Sequence, residues 1–384
     1  MLLIILYAAF IGLGLPSGLL GAAWPSMQVE LDAPVYMAGV VAMVISGGTI
    51  LSTLMADKMT KKIRPGLVVA GGVFFIGISL VGFGMAGSIW LMCLWAIPMG
   101  LGSGAVDAVI NNYIANNYSS RLMNWLHCFW GFGAMLGPYV MGFFLVRGMG
   151  WNAGYLASAV ALGVILIAVV ASLKQWKSTV QDVSLKSDNI NSDKSFVQYA
   201  RVKGVKYGML AFFAYCSMEG TAMLWAATFL VEVRGVTVEA AATFSAMFYI
   251  GITLGRVTAG FVSNRLGVKR IINVGLGIIV VGVAAIGLPF MPLWGVLTGL
   301  VILGLGCAPI FPALMHATPA HFGAENSQAL VGMQMASAYT GLTFVPPLFG
   351  LLVGALGVGI FPVFLFVFFL MTGAAVVALH KSVA

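Results

Sequence analysis

The chain has 384 residues, of which 61% are hydrophobic and only 8% charged, with a formal net charge of +8. A soluble domain carries roughly three times that charged fraction, so composition excludes a soluble enzyme or binding module and, with a mean hydropathy of +1.03, points to a chain dissolved in lipid. The basic excess does not signal nucleic acid, because the cations sit in short segments between apolar runs rather than along one face.

Apolar runs divided at polar or turn-rich breaks predict twelve helices, each long enough for a bilayer crossing of about 20 residues. In chain order they cover 2–29, 35–56, 66–87, 89–116, 122–146, 152–173, 205–232, 240–262, 270–289, 292–317, 327–353 and 358–379. The first starts at Met1 with neither a basic leader nor a small-residue cleavage site and is read as a retained span. The least distinct divisions are 87–89 and 289–292, where the chain must turn within a few residues. Residues 174–204, rich in Ser, Asn, Asp and Lys, cannot cross a membrane and are predicted to link two halves, 1–173 and 205–384. Glycine (49 residues) runs through the spans, as suits helices whose backbones approach closely. Cys93, Cys128, Cys216 and Cys307 lie in apolar runs without metal-ligand spacing and read as packing residues.

The basic residues orient the spans. With both termini cytoplasmic, sixteen of the nineteen Lys and Arg fall inside, Arg147 and Arg234 fall outside and Arg256 lies within a span. The halves also repeat. GLGSGAVDAVIN (100–111) aligns with GLGCAPIFPALM (304–315) at an offset of 204, and TLMADKMTKK (53–62) with GFVSNRLGVK (260–269) at 207. A duplicated six-helix unit makes the interface between the halves the natural substrate site.

The loop Gly260-Phe-Val-Ser-Asn264-Arg265-Leu-Gly267-Val-Lys269-Arg270 resembles the signature loop of the major facilitator superfamily, and Gly255-Arg256 resembles that family's eighth helix. The first-half copy keeps Asp57, Lys58, Lys61 and Lys62 but has Thr53 and Thr60 in place of glycines. The resemblance implies an all-α polytopic fold of twelve transmembrane helices in two pseudo-symmetric halves. A narrower likeness is carried by Asp107-x-x-x-Asn111, by His127-Cys-Phe-Trp-Gly-Phe-Gly-Ala134 with Pro138, by Glu219-Gly220 with Trp225, and by Pro309-Ile-Phe-Pro312. These resemble the fucose–galactose–glucose symporter branch, which implies substrate–cation symport with an acid in the fourth span as the ion site.

Of eleven acidic residues only Asp107 and Glu219 fall deep inside apolar spans. A charge at a helix centre costs around 2.5–3.5 kcal/mol on insertion scales, so each wants a partner, a proton or an aqueous cavity. Both are candidate coupling residues, and each could instead brace helix packing. Asp107 and Asn111, four apart, share a face with Gly100 and Gly104. The repeat counterpart of Asp107 is Phe311, so the acid is not a symmetrical scaffold feature. Span five puts Asn124, His127, Gly131, Ala134 and Pro138 on one face, and a histidine can shuttle a proton or donate a hydrogen bond. Trp24, Trp130 and Trp225 are candidates to stack on the apolar face of a sugar, with interfacial anchoring or packing as the alternative. Gln334 and Tyr339 are candidate polar cavity residues. Asp57, Arg256, Arg265 and Lys269 read as gating or structural charges.

No phosphate loop, HExxH pattern or nucleophile elbow is present in the sequence, and the four histidines are far apart. The expectation is therefore no enzyme, no metal and no cofactor. We expect a monomeric secondary transporter of a bacterial inner membrane that takes a small polar solute, foremost a sugar, with a co-transported proton or sodium ion. Proton is favoured because no dedicated sodium cage is visible. The alternative is a proton-driven exporter of amphipathic drugs or metabolites.

Overall fold

A computed structural model describes residues 2–118, 120–176, 199 and 202–383, with the backbone alone at 57, 120, 121, 124, 262–265 and 324–328. Among these residues the chain forms fourteen α-helices: α1 Leu2–Glu30, α2 Met37–Lys62, α3 Pro65–Gly84, α4 Ile89–Asn117, α5 Ser120–Val146, α6 Gly150–Ala171, α7 Val205–Arg234, α8 Val238–Phe244, α9 Ala246–Leu266, α10 Val268–Gly287, α11 Leu293–Cys307, α12 Ile310–Phe322, α13 Ala324–Leu356 and α14 Phe361–Val383. In lipid a span must satisfy its own backbone, and a helix does so internally.

Two predicted spans are each made of two helices. The eighth is interrupted at Ser245, between α8 and α9, and the tenth at Ala308–Pro309, between α11 and α12. Proline has no N–H to continue the ladder, which accounts for the second break. Counted as spans, the fourteen helices give the twelve expected. Among the described residues eleven runs are long and apolar enough to cross a membrane. The remaining one is α7, 30 residues long, whose hydropathy is lowered by Tyr215, Ser217, Glu219 and Thr221.

The short turns have local causes. Ser88 caps α4 by accepting from Leu91 N, and Pro65 starts α3, where a missing N–H costs nothing. Gly267 (φ 74°) separates α9 from α10 and Gly323 (φ 85°) separates α12 from α13, a backbone region that other residues enter only with strain. Of the central linker, 177–198, 200 and 201 lie outside the described residues.

The chain divides into two compact units. The first comprises Met1–Asn191 with Gly235–Ala246, the second Ser192–Arg234 with Met247–Ala384. Within the first, α1 packs on α5 and α6, α2 on α4, α3 on α4 and α6, and the short α8 on α5. Its fully buried large side chains include Phe10, Trp24, Phe83, Trp151 and Tyr155. Trp151 donates from Nε1 to Glu30 Oε2 at 2.7 Å, tying α6 to the end of α1. Within the second unit, α7 packs on α13 and α14, and α10 packs on α11, α12 and α14. Phe212, Tyr215, Trp225, Phe229 and Phe349 fill its interior.

Lipid tails are as apolar as leucine, so membrane helices associate through close packing rather than through escape from water. The repeat shows how. A Cβ on Gly100 of α4 would collide with the Ile45 carbonyl of α2, and one on Gly304 of α11 would collide with the Phe248 carbonyl of α9. The two glycines are 204 residues apart. Trp90 and Trp294, also 204 apart, start α4 and α11 and are 72% and 71% exposed, as suits aromatic anchors at a membrane–water boundary.

Candidate functional site

In the first unit the α4 stripe runs from the glycines to the acid. Gly100 and Gly104 meet the Ile45 and Thr49 carbonyls of α2, and Thr49 Oγ1 lies 3.3 Å from Gly100 O as donor. One turn further the side chains lengthen and Asp107 is half-buried. Asn111 Nδ2 donates to Asp107 Oδ1 at 3.0 Å and to the Asp107 main-chain oxygen at 2.9 Å. Among the described residues this neutral amide is the hydrogen-bond partner of the carboxylate. Asp107 is thus held in place without being neutralised.

On α5, His127 is exposed, with the Phe10 ring edge-on at 5.9 Å. Two residues on, Phe129 stacks on Tyr7 at 4.6 Å, so the aromatic faces of α1 and α5 interleave. Trp130 is half-buried, and its main-chain oxygen meets Gly14 of α1. Trp24 is fully buried, and its indole N–H has no hydrogen-bond partner among the described residues. The side chain of Asn124 lies outside the described residues, as do those of Asp57 and Arg265.

The second unit holds a different arrangement. Glu219, half-buried on α7, interacts with Arg256 of α9 and hydrogen-bonds with Tyr215, one turn earlier on its own helix. Tyr249, Cys216 and Cys307 also lie within its electrostatic reach. Arg256, read from the sequence as a gating or structural charge, is the cation within electrostatic reach of Glu219. A buried acid with a cation and a hydroxyl is a compensated charge. The i, i+4 spacing of Tyr215 and Glu219 was legible in the sequence and marks Tyr215 as a site residue that reasoning from the acids alone misses.

Trp225 and Gln334 are enclosed in the same unit. Trp225 is fully buried and donates from Nε1 to Pro346 O at 3.0 Å, with its ring against Phe349. Gln334 Oε1 accepts from Thr318 Oγ1 at 2.8 Å, bridging α13 to α12. Tyr339 is half-buried and Lys269 is exposed beside His380. A cavity of about 370 Å³ in the first unit, between Leu15 of α1, Tyr139 and Phe143 of α5 and Ala157 of α6, is apolar and contains none of these residues.

The profile of the Major Facilitator Superfamily matches residues 6–245 and 207–382. The chain belongs to the Major Facilitator Superfamily. It is therefore a secondary transporter of the membrane and not an enzyme. Among superfamily relatives, an uncharacterized transporter of Sinorhizobium fredii is 22% identical over 88% of this chain and 89% of its own length. The glucose/mannose transporter GlcP of Bacillus subtilis is 22% identical over 80% of this chain and 77% of its own. A yeast relative, Bypass of stop codon protein 6 of Saccharomyces cerevisiae, is 24% identical over 57% of this chain, and the match spans about half, 48%, of its length. In fold, the chain is similar throughout to a D-xylose–proton symporter (TM-score 0.80, 15% identity, 97% of that chain). It is equally similar to the nucleoside transporter NupG (TM-score 0.80, 14% identity, 100% of that chain).

Proposed function

We propose that the chain is a proton-coupled symporter that imports a small polar solute of the sugar class by alternating access, with Asp107 as the site that takes up and releases the proton. One observation carries this reading. Asp107 is held by the neutral Asn111 amide alone among the described residues, whereas Glu219 has a cation and a hydroxyl. An acid inside a span that lacks a counter-charge gains most from a proton. Loss of that proton restores a charge that resists enclosure, which ties solute movement to proton movement.

The sugar assignment draws support from relatives named as a glucose/mannose transporter and a hexuronate transporter. Asn111, His127 and Trp130 in the first unit are assigned to substrate contact, since they combine hydrogen-bonding groups with an aromatic face. Trp24, Trp225 and Gln334, closed in by their neighbours, are assigned to shaping the surroundings. The gradient rather than a bound nucleotide supplies the energy.

The test is uptake into proteoliposomes. D-glucose, D-mannose and D-glucuronate are offered under an imposed pH gradient, an imposed sodium gradient or neither. Accumulation driven by inward proton movement is expected for at least one of them. Accumulation driven only by sodium overturns the proton assignment. Proton-driven expulsion of amphipathic dyes without sugar uptake overturns the symport reading in favour of export.

A further inference from the structure

Tyr215 sits between two acceptors. Its hydroxyl donates to the Cys307 main-chain oxygen at 3.0 Å in a buried setting, and the same hydroxyl hydrogen-bonds with Glu219. Cys307 is the last residue of α11. The final carbonyls of a helix lack intrahelical donors, and Pro309 brings no N–H to the break. The Tyr215 ring also touches the far side of the break, lying 6.4 Å from Phe311 of α12, which in turn meets Phe212 edge-on at 5.2 Å. One residue of α7 therefore contacts Glu219, the end of α11 and the start of α12.

We propose that Tyr215 is a positioning residue that couples the proton on Glu219 to the joint between α11 and α12 in the tenth span. The proposal rests on the proton-coupled reading above and extends it to the second unit. A phenol has one hydrogen to donate. When Glu219 is ionised its carboxylate only accepts, and a charge-assisted bond is the stronger use of that hydrogen. Tyr215 then turns to Glu219, Arg256 pairs with the same carboxylate, and the Cys307 carbonyl loses its donor. When Glu219 is protonated its own O–H donates to the Tyr215 oxygen, and the Tyr215 hydrogen returns to Cys307. This second proton, distinct from the transported one that Asp107 carries, binds and leaves at Glu219, and Tyr215 keeps its hydrogen throughout. Arg256 and Tyr249 on α9, Cys216 on α7 and Cys307 on α11 are the other titratable or charged groups in this field among the described residues.

Hydrogen exchange on the full chain in phosphatidylcholine nanodiscs reads the joint directly and needs no substrate. After correction for intrinsic exchange, backbone protection over residues 308–316 is expected to change by about tenfold between mildly acidic and mildly alkaline buffer. Tyr215→Phe, which keeps the ring against Phe311, is expected to abolish the change. Glu219→Gln is expected to hold the acidic value at every pH, so the proposal remains testable if the tyrosine variant does not fold. A pH-dependent change that persists in Tyr215→Phe, or its absence from the wild type, overturns the proposal. A Tyr215-dependent change in a protein whose sugar uptake ignores the proton gradient supports the joint while removing the symport reading.

Discussion

Asp107 and Phe311 stand at equivalent positions of the repeat, 204 residues apart, and their surroundings differ in kind. Asp107 is bound by the Asn111 amide at 3.0 Å, while Phe311 packs against the rings of Phe212 and Tyr215. The duplication kept the span but broke its helix at Ala308–Pro309 and replaced the chemistry at this position. Asp107→Asn is expected to reduce accumulation of sugar against a gradient at least about tenfold while leaving counterflow exchange, which moves no net proton. Proteoliposome uptake and exchange assays measure the two separately. Phe311→Asp places an acid among aromatic rings, and thermal melting in detergent should show a loss of about 2.5–3.5 kcal/mol.

The pair in the second unit makes a different prediction. Glu219 lies within the electrostatic reach of Arg256, so removing the cation takes away charge that offsets the acid. Arg256→Gln is expected to cost on the order of 3 kcal/mol of stability, and adding Glu219→Gln should recover most of that loss. A double-mutant cycle by thermal melting measures this coupling. Additive losses would mean that the two charges act independently.

Close packing in the repeat can be tested beside its own control. A Cβ at Gly100 strikes the Ile45 carbonyl, whereas Gly47, on the neighbouring helix α2, has open space around it. Gly100→Ala is expected to destabilise the protein by about 1–3 kcal/mol through forced separation of α2 and α4. Gly47→Ala should be neutral in the same melting experiment.

Trp225 distinguishes packing from recognition. Its Nε1 donates to Pro346 O and the ring is fully enclosed. Trp225→Phe should lower stability by about 1 kcal/mol, the usual net value of one hydrogen bond, and leave the KM for the transported sugar unchanged. A KM raised about tenfold without a stability loss would return this residue to the substrate surface.

The spans were legible because lipid imposes a strict length and apolarity on every crossing. The structure moves most of their ends by only a few residues, and the indistinct turns at 87–89 and 289–292 lie at 85–88 and 288–292. The breaks at Ser245 and Ala308–Pro309 were not legible, because an apolar window averages over a local interruption of the helix. At the site, the pairing of Asp107 with Asn111 is a local i, i+4 contact and could be read from spacing. Glu219 and Arg256 are 37 residues apart on different helices, and only tertiary packing brings them together. The tryptophans show the converse limit. An indole suits both a sugar platform and a packed interior, and the enclosure of Trp24 and Trp225 depends on neighbours from other helices.

The low hydropathy of α7 has a consequence for how the chain is made. Tyr215 meets α11, Glu219 looks toward Arg256 of α9, and the helix packs on α13 and α14, all of which leave the ribosome after it. For the interval in which those helices are still being synthesised, Glu219 lacks its final surroundings, and an acid without them is costly in lipid. Assembly of the second unit is thereby ordered backwards relative to synthesis, with an early helix waiting on late ones. The acid that equips α7 for its role in the finished protein also makes it the span that cannot settle alone.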